Sequence, residues 1–126
     1  MEKKVLCHER LRRVPRQFSW ADQRLMRDEH LGRCSAAAWG LYLFLILVGD
    51  AQGLSYYSDS SICRTLSIPG PILLQLRQEL VSADVIVYRK PLYQVLGLDE
   101  PISRRSKDSQ PISIGDLLSR IARGGN

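Results

Sequence analysis

The longest apolar run of the chain extends from Ser35 to Val48, and Gly40 is its one interruption. As a helix it would be apolar on every face, so we expect a buried central helix that more than one layer covers. At about 1.5 Å per residue it spans about 20 Å, too little for a hydrocarbon layer of about 30 Å, and we expect no membrane partner. The covering layers would be the segment that follows, together with the N-terminal segment, a C-terminal helix or a second copy of the chain.

The segment after this run predicts a strand and then two helices joined by a turn. Residues 53–57 predict the strand. Ser58 and Asp59 are both favoured N-cap residues ahead of a short helix over residues 60–66. A turn follows, and Pro71 suits the first position of the second helix because the N–H that it lacks would have no partner there.

Two segments beyond the second helix, at 85–88 and 92–96, are rich in β-branched and aromatic residues. They flank a short basic turn, Arg89-Lys90-Pro91, and so predict a β-hairpin. The chain is therefore predicted to be mainly α with a small antiparallel β-sheet, an α+β fold.

This order of elements, a helix-turn-helix followed by a two-stranded wing, resembles the winged-helix DNA-binding fold over residues 35–98. In that fold the strand at 53–57 pairs with the hairpin, which implies a sheet of three strands. The phrases CHERLRRVPRQFSW, LYLF, VGDAQGLSYY and RKPLYQVL resemble a family of small bacterial helix-turn-helix proteins associated with mobile elements. The resemblance implies that the chain binds nucleic acid.

Polar and charged segments flank this predicted domain. Residues 1–34 are a predicted basic N-terminal arm with a short helix that Ser19 caps and that runs from Trp20 toward Leu31. Residues 99–126 combine a polar linker with a short amphipathic C-terminal helix, which must dock on its own domain, a dimer mate or another protein. Four apolar residues of this last helix recur at helical spacing: Ile114, Leu117, Leu118 and Ile121.

The positive charge of the chain is concentrated in the N-terminal arm. The net charge is +5, and residues 1–33 hold nine Lys and Arg against five Asp and Glu, whereas residues 34–98 hold four of each. A basic arm beside a neutral domain fits contact with an anionic polymer, although a merely solvated basic surface is the alternative. Four arginines of the arm are candidate phosphate contacts: Arg10, Arg12, Arg13 and Arg16.

The second helix presents two faces when it is projected at about 100° per residue. One side is apolar and should be buried: Ile72, Leu73, Leu76, Leu80 and Ala83. The other side should face solvent: Leu74, Gln75, Gln78, Val81 and Ser82, with Arg77 at its edge. Gln75 and Gln78 suit adenine edges and Leu74 a thymine methyl, so this face is a candidate DNA reader. Its lack of a cation near the helix start also leaves a protein contact open.

Further candidate DNA contacts surround that helix. The backbone N–H groups near Ser60 and Ser61, in the first turn of the preceding helix, can meet a phosphate. Arg64 follows on the same helix, and Arg89 and Lys90 lie at the tip of the predicted hairpin. Together with Arg77 they complete the predicted DNA-binding set.

Three cysteines, Cys7, Cys34 and Cys63, are an odd number at irregular spacing, and the charged N-terminus does not resemble a signal peptide. We therefore expect a cytoplasmic protein with free thiols. His8 and His30 neighbour two of the cysteines, but the C-x2-C spacing of zinc sites is missing, so we expect no metal and no cofactor. The sequence also lacks a Gly-rich phosphate loop, G-x-S-x-G and HExxH, and we expect no enzyme.

The sequence thus predicts a winged-helix DNA-binding protein, a homodimer that regulates transcription or serves as an accessory factor of a mobile element. Its partner would be double-stranded DNA. The alternative is a winged-helix interaction module without DNA binding, in which Leu74, Val81 or the C-terminal helix binds a protein. Binding through phosphates weakens steeply with salt, whereas an apolar protein interface hardly responds, so salt dependence separates the two.

Overall fold

A computed structural model describes residues 2–27 and 29–99, and the compact unit discussed below ends at Leu96. Within the described residues the chain forms three α-helices and a three-stranded antiparallel sheet, which confirms the predicted α+β class. The elements are α1 (Ala36–Val48), β1 (Leu54–Tyr56), α2 (Asp59–Leu66), α3 (Gly70–Ser82), β2 (Ile86–Arg89) and β3 (Leu92–Val95). The predicted linker and C-terminal helix lie outside the described residues, apart from Asp99.

Helix α1 begins at the N-cap Ser35, whose Oγ accepts a hydrogen bond from the backbone N–H of Ala38 at 3.1 Å. Its buried residues pack toward α3 and β3: Ala38, Leu41, Tyr42, Phe44 and Leu45. The opposite side is not covered by any described residue, since Leu43 is 55% and Leu47 61% exposed. The described residues thus cover α1 on one side only, where α3 and the sheet lie, and the predicted second layer stays a prediction.

Helices α2 and α3 follow each other across a short turn, as the sequence predicted. Ser58 caps α2 by accepting from the N–H of Ser61 at 3.2 Å, and Ser67 ends it in the left-handed region with φ 57°. Pro71 lies in the first turn of α3, as expected. Glu79 ties α3 to the start of α1, because its two carboxylate oxygens accept from the Ser35 N–H at 2.7 Å and the Ser35 Oγ at 3.0 Å.

The sheet has the strand order β1-β3-β2, so the central strand is the last in sequence. Tyr93 on β3 pairs with Ser55 on β1 and Tyr88 on β2, and its ring is fully buried on the side facing the helices. Gly53 precedes β1 with φ +82°, and a Cβ there would lie 2.7 Å from the Val95 carbonyl oxygen. A glycine is required at this approach between the two strands.

The N-terminal arm differs from the prediction of a helix over residues 20–31. Its described parts form three short 3-10 helices instead, at His8–Arg10, Gln23–Met26 and Leu31–Arg33. Asp22, rather than Ser19, is the capping residue and accepts from the Arg24 N–H at 2.8 Å. This segment buries little besides Leu25, so no apolar stripe supports a longer helix. Trp20, where the predicted helix would begin, is 71% exposed.

Candidate nucleic-acid interface

The outward face of α3 consists of the residues that the helical projection predicts. All five are exposed: Leu74, Gln75, Gln78, Val81 and Ser82. The Gln78 amide donates to the Ser82 hydroxyl at 3.1 Å, while Gln75 is free of hydrogen bonds to other described residues. The inner side holds buried Leu73, Leu76 and Leu80, although Ile72 is more exposed than predicted. The outward face therefore offers amides and a hydroxyl but no charge.

Arg77 does not lie at the edge of that face, contrary to our expectation. Its side chain is buried, and its Nη1 donates to Asp59 Oδ1 at 2.9 Å and to the Tyr93 hydroxyl at 2.7 Å. The guanidinium also lies 4.1 Å from the ring centroid of Tyr88. Because these three partners lie within its reach, the long side chain folds inward and is not available to DNA.

The partners of Arg77 keep its guanidinium protonated. Burial acts to lower the pKa of Arg77, but its hydrogen bonds to Asp59 and Tyr93 outweigh burial and raise that pKa above its ordinary value. Burial raises the pKa of the Tyr93 hydroxyl, because it disfavours the charged form, although the nearby guanidinium acts to lower that pKa. Arg77 therefore stays charged beside a neutral Tyr93 phenol, and the cluster links α3 to α2 and to the sheet.

The first turn of α2 is already engaged in hydrogen bonds. The Ser58 Oγ lies 3.2 Å from the hydroxyl of Ser60 and 3.0 Å from that of Ser61. Asp59 adds a negative charge in the same turn, which Arg77 partly offsets. A phosphate here would have to compete with these internal bonds. Arg64, in the last turn of α2, is exposed and forms no ion pair with another described residue.

The hairpin and the arm both expose cations. Arg89 ends β2 and Lys90 follows in the two-residue turn, and both face solvent without an ion pair in the described part of the chain. The Lys90–Pro91 peptide bond is cis. The four predicted arginines of the arm are likewise exposed: Arg10, Arg12, Arg13 and Arg16. The predicted basic contacts other than Arg77 are thus accessible.

Arg33 was not among the predicted contacts, since the sequence placed it only within the basic arm. Arg33 lies in a groove of about 550 Å³ beside α3 that is lined by Arg33, Gln75, Gln78, Glu79, Ser82 and Ala83. Its guanidinium has no hydrogen bond or ion pair with any described residue. The signal available in the sequence was its place two residues before Ser35, the start of the central helix.

The described residues contain neither a group of metal-ligating side chains nor a helix that could cross a membrane. Among residues 2–27 and 29–99, no three His, Cys, Asp or Glu side chains come together as a metal site would require. Burial raises the pKa of the Cys34 thiol, which donates to the Glu79 carbonyl oxygen at 3.5 Å. No helix in the described part of the chain combines the length and the apolar character that crossing a bilayer requires.

Comparison with known proteins gives little beyond this geometry. No protein-family model and no curated protein matches the chain. A solved structure described as a Rep-DNA complex is similar to it, with a TM-score of 0.48 and 15% sequence identity, over 77% of this chain and 92% of that chain. A likeness at this level says nothing about what this chain binds, so the interface is defined by the chain's own residues.

Proposed function

We propose that the chain is a winged-helix protein that binds double-stranded DNA, with α3 entering the major groove. The element order α1-β1-α2-α3-β2-β3 and the strand order β1-β3-β2 support this arrangement. The observation that carries the proposal is the exposed face of α3, where Gln75 and Gln78 stand free of the core. Glutamine amides can donate to and accept from the edge of an adenine in the major groove.

Exposed cations around α3 support contact with the DNA backbone. In this proposal Arg89 and Lys90 at the hairpin tip meet phosphates beside the groove, and Arg64 is a further contact. The four arginines within residues 1–16 of the basic arm add affinity that does not depend on sequence, because each neutralised phosphate releases counterions. Arg77 is not part of this contact set.

The chain would act as a regulator of transcription or an accessory factor of a mobile element, a role that rests on the family resemblance of its sequence.

As part of the proposal, two copies pair through the exposed side of α1, which carries Gly40, Leu43 and Leu47. Helix α1 has no charged residue, so a second copy placed on it would bury no unpaired charge. Sedimentation equilibrium should then give twice the monomer mass of 14.3 kDa. The double variant Leu43→Glu with Leu47→Glu should instead sediment at the monomer mass. A wild-type chain of monomer mass at micromolar concentration would contradict the dimer.

One observation favours a second candidate, an interaction module that binds protein and not DNA. Leu74 and Val81 are exposed on the same face of α3 as the glutamines. Two exposed aliphatic side chains are more typical of a protein contact than of a phosphate contact. This module would bind its partner with little response to salt.

The test is the binding of a fluorescein-labelled duplex of about 20 base pairs, roughly two helical turns, followed by anisotropy at several salt concentrations. The full chain should bind at low salt and weaken as salt rises. Arg89→Ala with Lys90→Ala should lower the salt slope by about two, and deletion of residues 1–16 should lower it further. Arg27→Ala is the control for loss of charge in a residue outside the predicted set. An absence of binding even at low salt would leave the protein-binding module as the better explanation.

A further inference from the structure

The outward face of α3 lacks a cation of its own. Gln75, Gln78 and Ser82 are neutral, and Arg77 is buried against Tyr88 and Asp59. A helix in the major groove nevertheless runs between two phosphate backbones, since the groove is about 12 Å wide. The cations that meet these backbones must therefore come from neighbouring elements on either side of α3.

One flank of α3 faces α2 and the hairpin. Arg77 marks this flank, because its side chain reaches Asp59 at the start of α2 and Tyr88 on β2. Arg89 follows Tyr88 directly in the sequence. The hairpin that carries Arg89 and Lys90 therefore lies on the Arg77 side of the helix, since β2 contacts α3 there through Tyr88.

The opposite flank of α3 faces the segment that precedes α1. Glu79 marks this flank, since it comes two positions after Arg77 and so lies about 200° around the helix. Its carboxylate holds Ser35, and its carbonyl oxygen accepts from the Cys34 thiol. Arg33 immediately precedes these two residues and lines the groove along this flank.

Contacts of the adjoining residues fix the backbone position of Arg33, while its guanidinium is accessible to a ligand. It ends the 3-10 helix Leu31–Arg33, and the Trp39 indole N–H donates to the Leu31 carbonyl oxygen at 2.8 Å. Glu79, the acid that lines the same groove, already accepts two hydrogen bonds from Ser35. Arg33 itself is exposed and has no ion pair among the residues that the structure describes.

We infer that Arg33 contacts a phosphate of the duplex on the side of α3 opposite the hairpin. The helix would then be held between Arg33 and Arg89, each neutralising one of the two backbones that border the groove. This inference rests on the proposed function. The ligand is a phosphodiester and not a base, because Arg33 lies beside the outward face of α3 and not on it.

Arg33→Ala, Arg33→Lys and Arg27→Ala in the full chain test this assignment. The probe is the same labelled duplex of about 20 base pairs, two helical turns. Arg33→Ala should weaken binding about fivefold at physiological salt and lower the salt slope by about one. Arg33→Lys should bind within about twofold of wild type, because a lysine ammonium keeps the positive charge and binds a phosphate as a point charge. Arg27→Ala removes the same charge from an exposed residue outside the groove and should bind within about twofold of wild type.

The outcomes separate this inference from the function on which it rests. If the wild-type chain does not bind duplex, the proposed function and the inference fail together. If it binds but Arg33→Ala matches Arg27→Ala in affinity and salt slope, the inference fails and duplex binding stands. An Arg33→Lys chain as weak as Arg33→Ala would also overturn the phosphate contact. Equal thermal melting of all variants will show that the exposed substitutions leave the fold intact.

Discussion

Helices α1 and α3 have the same length, thirteen residues, but expose different chemistry. Each buries one side against the other elements of the fold. The exposed side of α1 carries Leu43 and Leu47, which can only pack against another apolar surface. The exposed side of α3 carries Gln75 and Gln78, which can form hydrogen bonds with a base edge. The two helices therefore differ in the chemistry of their exposed sides: under the proposed function α3 contacts DNA, whereas α1 packs against a second copy.

The largest effect should separate the two sides of α1. Leu45 is fully buried, so Leu45→Ala should lower the free energy of unfolding by about 3 kcal/mol through lost contacts and a cavity. Leu43→Ala on the exposed side should cost less than about 0.5 kcal/mol in the monomer. Urea unfolding measures both. Equal losses at low protein concentration would mean that the Leu43 side is covered after all.

A smaller effect should separate the two sides of α3. Arg77→Leu leaves Tyr93 and Asp59 without their donor and should lower the free energy of unfolding by about 2 kcal/mol. Gln78→Ala on the outward face should change it by less than about 0.5 kcal/mol. Urea unfolding of both variants checks this contrast. An Arg77→Leu chain as stable as wild type would show that the cluster contributes no stability, as some buried ion pairs do not.

The smallest effect should come from alkaline pH, and it concerns α1 more than α3. Burial raises the pKa of Tyr42 above its ordinary value near 10. As pH rises, the Tyr42 phenol therefore ionises in the unfolded chain before it ionises in the folded one. Its contribution to the free energy of unfolding is complete below the unfolded-state pKa and is lost as pH rises through the folded-state pKa. The loss is at most about 1.4 kcal/mol per pH unit for each such group. Urea unfolding between pH 8 and 11, roughly the span of these titrations, should show a shallower fall for Tyr42→Phe than for wild type.

Local signals in the sequence were enough to predict the elements of the helix-turn-helix and the hairpin. Ser58 and Pro71 define the starts of α2 and α3, and the β-branched segments define β2 and β3. The outward face of α3 also followed from helical periodicity. In each case the deciding contacts lie within a few residues of one another in the chain.

Two of the errors concern contacts between distant residues. The inward turn of Arg77 depends on Asp59 and Tyr93, which are 18 and 16 positions away. Helical projection gives the direction of its Cβ but not the path of a long side chain. The groove at Arg33 depends in the same way on packing between the arm and α3, across more than 40 positions of sequence.

The most direct test follows the amide signals of the isotope-labelled full chain by NMR while duplex is added. If α3 enters the major groove, the side-chain amides of Gln75 and Gln78 will shift, and the backbone amides of Leu43 and Leu47 will not. Shifts at Leu43 and Leu47 with none at the two glutamines would contradict the proposed function, because they would place the DNA on α1.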